Sequence, residues 1–245
     1  MSKGVVVLSL VFLLAAGLAA PAGAQELALV SKFIEGPIPS EDPNSPEWRG
    51  AEPLEVPLAS QVITRVTTAD LPQKRSAVRT VVARSLHNGR EIAILLEWAD
   101  PNRNVLIERI DTFRDAAALQ FPVKLPPKPD ETPLVTMGYE EKRVNIWQWR
   151  SEWQEKGRRP AVEDLVAEGF GTLTPKPMQV VHGKGAWVAG KWRAVFTRTM
   201  TAADPDGTQF ARGTSMPIAY AIWEGGNQEG GSQKSVSTWH RLKIE

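Results

Sequence analysis

Between Arg90 and Trp98 the dominant signal is a period of two: Ile92, Ile94, Leu96 and Trp98 fall on one side, Glu91 and Glu97 on the other. A period of two belongs to a half-buried β-strand, because successive strand side chains point to opposite faces. A second β-rich run, Thr80 to Ser85, precedes it, with His87-Asn88-Gly89 between the two. Asn-Gly tolerates the positive φ of a tight turn, so the two runs read as a hairpin. Further strands are expected at Ala116 to Phe121, Arg143 to Arg150, Gly185 to Thr199, Ser215 to Trp223 and Lys234 to Ile244, each bounded by Gly, Pro or Asp clusters. That spacing predicts an all-β chain. A helix is expected over Ala161 to Glu168, opened by Pro160 and closed by Gly169, with Val162, Leu165 and Val166 on one side. Ala116-Ala117-Ala118-Leu119 admits a helical reading as well.

The N-terminus reads as an export signal. Lys3 supplies a positive start, Val5 to Ala20 is apolar, and Ala22-Gly23-Ala24 offers small residues for cleavage. The apolar run falls short of the roughly 20 residues that span a bilayer, so cleavage after Ala24 is expected rather than a membrane span. No Arg pair precedes it, which favours the general export route. Residues 25–245 then form a single domain. Its first part, about 35–57, carries six prolines and reads as an extended surface arm. The proline-rich stretch Phe121 to Pro133 reads as a loop between strands.

Lys3 is the only charge in the first 24 residues, so the remainder balances 28 Lys and Arg against 28 Asp and Glu. Nucleic acid and anionic membranes call for clustered cations, and no such cluster is present. Cysteine is absent, which excludes disulfides, thiolate ligands, a cysteine nucleophile and covalent haem attachment through CxxCH. Nine Trp against two Tyr suit either a wide apolar cavity or a ring-filled core.

Signals of a stand-alone enzyme are missing. There is no GxSxG, no HExxH, and no recognisable carboxylate pair; Gly183-Lys184-Gly185 is not a phosphate loop. What stands out is a series of blocks: Thr136-Met137-Gly138; Arg143-Val144-Asn145-Ile146-Trp147-Gln148-Trp149-Arg150; Gly183-Lys184-Gly185-Ala186-Trp187 with Lys191-Trp192-Arg193; Ala221-Ile222-Trp223-Glu224-Gly225-Gly226-Asn227; and Gly230-Gly231-Ser232-Gln233-Lys234-Ser235-Val236-Ser237-Thr238-Trp239. This series resembles the haem-binding gamma subunit family of ethylbenzene dehydrogenase and dimethylsulfide dehydrogenase, which also serves chlorate and selenate reductases. The likeness runs from about Trp48 to Leu242.

The resemblance implies an antiparallel β-sandwich with one or two short helices, enclosing a pocket for one non-covalent haem b. By position it implies Met137 and Lys234 as the axial iron ligands. It also implies a non-catalytic, periplasmic electron-transfer subunit beside a molybdenum-cofactor catalytic subunit and an iron–sulfur subunit, exchanging electrons with a soluble cytochrome or similar partner.

The residue chemistry can be weighed separately. A thioether is a soft ligand that suits haem iron and favours its ferrous state. Lysine ligates only as the neutral amine, which demands an apolar site. Read in isolation, a Met is core filler and a Lys a solvated charge.

Histidine is the commoner haem ligand. His87 sits in the hairpin turn and is expected to face solvent, while His240 lies six residues from Lys234, roughly 20 Å along a strand. His182, in the turn before Gly183, is the rival to Lys234. Trp147, Trp187, Trp192, Trp223 and Trp239 divide between pocket lining and core filling, and Arg143 and Lys191 between propionate partners and solvated strand ends. The reading from a different class is an extracellular β-sandwich that binds a sugar or free haem with no redox role.

Overall fold

The computed structural model describes residues 27–61, 75–127, 132, 135, 137–157 and 160–245. The expected export signal, Thr136 and part of the Phe121 to Pro133 loop lie outside the described residues.

Fourteen strands lie among the described residues. The first five are β1 (Ala28–Phe33), β2 (Leu54–Pro57), β3 (Ala59–Ser60), β4 (Thr80–His87) and β5 (Glu91–Ala99). β6 (Ala116–Pro122), β7 (Val144–Arg150), β8 (Val162–Ala167) and β9 (Thr174–Pro175) follow. β10 (His182–Val188), β11 (Lys191–Thr199), β12 (Ser215–Trp223), β13 (Ser235–Val236) and β14 (His240–Ile244) complete the set. The one α-helix among the described residues, α1, is Ser151–Lys156.

The strands form one hydrogen-bonded path that folds into two layers at β12. Ser215–Ile218 of β12 pairs with β14, extending a first sheet through β1, β4, β5, β11 and β10. Ala219–Trp223 pairs with β6, opening a second sheet through β7, β8 and β9. Pairing is antiparallel except at β1, which runs parallel to both β4 and β14.

The inner faces meet over a ring-rich core. Trp98, Trp149 and Trp192 stand 4.9 to 6.4 Å apart by ring centroids, joining β5 and β11 of the first sheet to β7 of the second. Phe121, Trp147 and Phe210 form a second ring cluster at 4.9 to 5.7 Å. Most tryptophans therefore fill core.

The Asn-Gly hairpin forms as its turn chemistry demands, with Gly89 at φ 83°. Burial on β5 exceeds the alternating expectation: Ile92, Ile94 and Leu96 enter the core, while Ala93 and Leu95 on the other face are also covered. Their cover is the N-terminal arm, whose Ile38, Trp48 and Ala51 pack on them. The arm is thus partly structural, and its β2 pairs with β4.

Ala161 to Glu168 is not a helix. Val162–Ala167 forms strand β8, paired along its length with β7 from Val144↔Ala167 to Trp149↔Val162. Every residue of it is buried, and Asp164 meets Asn145 Nδ2 and Lys176 Nζ. Partners distant in sequence outweigh the local Pro and Gly punctuation. The helix lies earlier, at α1, stopped by Gly157 in the left-handed conformation.

Gly185 to Thr199 proves to be two strands around an Ala189-Gly190 turn with both φ positive, a type that closes hairpins without splaying them. Lys234 to Ile244 likewise breaks into β13 and β14. Ala116 to Leu119 is strand rather than helix.

Candidate functional site

Along β6, Ala117, Leu119 and Phe121 enter the core, so Ala116, Ala118 and Gln120 face the other way. Along β7, Trp147 and Trp149 point inward while Ile146, Gln148 and Arg150 point outward. The outward set, with Ala219, Ala221 and Trp223 of β12, floors a cavity of about 600 Å³ on the outer face of the second sheet. This lies within the roughly 300–1,000 Å³ of small-molecule and cofactor sites. The cavity is therefore not between the sheets. Small side chains on its floor make the room, and loop residues within 107–114, at 135 and 137, and within 170–173 and 229–234 supply its walls.

Met137 and Lys234 both line this cavity, from two loops far apart in sequence. Met137 packs partly buried on the outer apolar cluster of the second sheet. Its φ is 80°, uncommon for a bulky L-residue, and the surroundings hold it there. Gly169 N–H donates to the Met137 carbonyl at 2.8 Å, while Gly138 follows at φ 75°, where a Cβ would stand 2.4 Å from the Lys142 carbonyl oxygen. Glycine is required at that position.

Lys234 is half-buried just before β13. Its carbonyl accepts from Gln61 N–H at 2.9 Å, and the Ser235 hydroxyl donates to the Val78 carbonyl at 2.7 Å. Its amine lies 4.8 Å from the centroid of the Trp223 ring, which is itself anchored by an indole N–H to the Gly231 carbonyl. Among the described residues no carboxylate or other acceptor meets that amine. Burial pushes its pKa down to about 8, which makes the neutral, ligating form accessible near neutral pH.

None of the three histidines lines the cavity. His182 is exposed on β10 of the first sheet, opposite Thr197, and not in a turn. His87 is fully buried rather than solvent-facing: its ring meets Phe33 edge-on at 5.6 Å, because β1 lies alongside the end of β4. His240 lies against the Tyr220 ring at 5.9 Å. Of the singled-out tryptophans, Trp223 lines the cavity, Trp147 and Trp192 fill the core, and Trp187 and Trp239 pack half-buried against the inner and outer clusters. Arg143 pairs with Asp206 and Lys191 lies 3.7 Å from Glu97; both stand off the cavity.

Two cations on the cavity wall escaped the sequence reading. Arg150 donates to Gln148 and lies 3.5 Å from Glu163, with its guanidinium over the Trp153 ring. Arg114 reaches Glu152 at 3.5 Å and keeps its Nε buried without an acceptor. Arg150 shares the outward parity of Ile146 and Gln148, a signal the sequence carried. Arg114 sits in a loop and gave none.

A β-sandwich with an apolar, small-floored cavity on one outer face is a scaffold for holding a small molecule. The ethylbenzene dehydrogenase family profile matches residues 45–168 and 164–235, and the chain belongs to that family. It is 30% identical over 202 residues to a Haloferax mediterranei protein described as a respiratory nitrate reductase heme subunit, covering 82% of this chain and 67% of that one. It is 27% identical over 203 residues to the chlorate reductase subunit gamma of Ideonella dechloratans, covering 82% and 79%. Among solved structures, a Bacteroides uniformis protein described as carbohydrate-binding superposes with TM-score 0.50 at 12% identity, over 90% of this chain and 100% of that one. That likeness concerns the fold alone.

Proposed function

We propose that this chain holds one haem b, non-covalently, in the outer-face cavity, where Met137 sulfur and Lys234 nitrogen would hold the iron. The observation that carries the reading is a lysine amine that meets no acceptor among the described residues, on the wall of the same cavity as a thioether. The donor set fits: one soft sulfur, one amine already biased toward neutrality, and four alanines on the floor that leave space for a flat ring. The absence of cysteine removes covalent attachment.

When bound, the haem supplies one-electron transfer at its iron. The chain's own residues do the rest. Gly138 and the Gly169 N–H fix the Met137 backbone, the Trp223 ring positions the Lys234 amine, and Ala116, Ala118 and Ile146 exclude water. Arg114 and Arg150 place positive charge on the wall, suited to carboxylates such as propionates.

On this reading the chain is a periplasmic, non-catalytic electron-transfer subunit, exported by its N-terminal signal. It would relay electrons between the iron–sulfur subunit of a molybdenum oxidoreductase and a soluble cytochrome or similar carrier. The similarity to subunits of nitrate and chlorate reductases supports this assignment. A sugar would also meet polar groups here, Gln120, Gln148 and Arg150 among them, so what favours haem is the thioether and the amine on one cavity wall.

The test is a visible spectrum with a pyridine haemochrome assay on the purified protein. The expected result is one haem b per chain with low-spin bands, turning high-spin or losing haem in both Met137→Ala and Lys234→Ala. Unchanged spectra in those variants would reject the ligand pair.

A further inference from the structure

At the edge of the molecule where β5 ends and β6 begins, three carboxylates are buried together. Asp100, Asp115 and Glu224 each bring an oxygen within 4.8 Å of the others, and none of the three is more than 7% exposed. Among the described residues no Lys, Arg or His forms an ion pair with any of them; the nearby Arg103 and Arg114 are engaged with Glu155 and Glu152. Buried carboxylates ordinarily require a compensating charge.

The oxygens are arranged rather than merely crowded. Asp115 is held by three donors, the N–H groups of Asn104 and Gly225 and the Trp192 indole at 2.7 to 2.9 Å. Gly226 N–H orients Glu224. Two further oxygens are left over. Asp100, 0% exposed, keeps Oδ2 without a donor, and the enclosed Asn104 Oδ1 has none either. Asn104 Oδ1 and Glu224 Oε1 flank Gly226, at 3.2 and 2.8 Å from where a Cβ would stand. A neutral amide oxygen cannot be satisfied by protonating a neighbouring carboxylate unless that proton points at it, whereas a cation satisfies all of these oxygens together.

We propose that Asp100, Asp115 and Glu224, with the amide oxygen of Asn104, form a calcium site that ties the ends of β5, β6 and β12 together. An all-oxygen donor set suits Ca²⁺, and the three carboxylate oxygens, within 4.8 Å of one another, suit ligand distances of about 2.3–2.6 Å around one ion, with the Asn104 amide oxygen beside Gly226 as a further neutral donor. The site stands directly behind the cavity wall. Gly225 touches the Phe113 carbonyl so closely that a Cβ would lie 2.5 Å away, Glu224 N–H donates to Glu229, and Phe113 and Glu229 both line the cavity. The ion's task is therefore to fix that wall.

The test uses the full chain, stripped with a chelator and dialysed. Calcium should raise the melting temperature by several degrees at millimolar concentration, and magnesium should not. Terbium should show luminescence sensitised by Trp192, whose indole lies 2.8 Å from Asp115, and calcium should compete it away. Glu224→Gln and Asp100→Asn should lose both responses while melting, in chelator, no lower than the parent. A melting temperature indifferent to calcium, or terbium emission equal in Glu224→Gln and the parent, overturns the site. Equal stabilisation by magnesium overturns its assignment to calcium. Should either variant fail to fold, terbium titration of the unmodified chain decides alone.

Discussion

The two outer faces of the sandwich are treated in opposite ways. On the first sheet, Leu86, Ala93, Leu95 and Val195 are covered by the chain's own N-terminal arm, with Trp48 at 1% exposure in the middle of the seal. On the second sheet, Ala116, Ala118, Ile146 and Trp223 are equally apolar, and the described loop residues wall them without filling the space above. An apolar sheet face needs a cover. One face takes it from residues 38–51, and the other keeps a cavity with Met137 and Lys234, the proposed ligands, on its wall. On the proposed reading the difference lies in the cover: polypeptide on the first face, haem on the second.

If the first face is purely structural, Trp48→Ala should cost about 3–5 kcal/mol, as for other buried ring truncations. Urea unfolding would register that loss, and the haem spectrum of the folded fraction should stay unchanged; a spectral change would mean that the two faces are coupled.

The second face should respond to pH in the cofactor-free protein. The folded Lys234 amine titrates at about 8 and the unfolded one near 10.4. Between those values the unfolded chain holds more protons, so stability should rise with pH across that window. Below it the charged amine carries its full burial penalty. Lys234→Met should abolish the slope and raise cofactor-free stability at pH 7 by up to about 3 kcal/mol. A flat profile in the parent, measured by urea midpoint against pH, would show the amine to be well solvated.

The sequence made the strands legible where local chemistry and tertiary pairing agree. The Asn88-Gly89 hairpin formed, and Ser215 to Trp223 matched β12 to the residue. It misled at Val162–Ala167, where Pro160 and Gly169 imitate helix ends but pairing with β7 governs. His87 was misplaced for a similar reason: a turn residue looks exposed until β1, more than fifty residues earlier, lies beside it. Met137 and Lys234 were singled out through resemblance, since nothing in the spacing of two isolated residues reveals a shared cavity. Parity along β6 and β7 was readable, yet parity does not say which face is open. The carboxylate cluster joins residues 100, 115 and 224 through folding alone and left no pattern in the sequence.

The claim that a haem stands on the second sheet's outer face is tested most directly by haem titration of Ala118→Phe. Ala118 lies on the cavity floor between Gln148 and Ala221, and a ring there occupies the space of the cofactor. Because that ring enters open space, cofactor-free stability should change by less than about 1.5 kcal/mol. The account predicts that stoichiometric haem binding, followed by the Soret band, is lost while the urea midpoint holds. Binding of one haem per chain with an unaltered low-spin spectrum would contradict it.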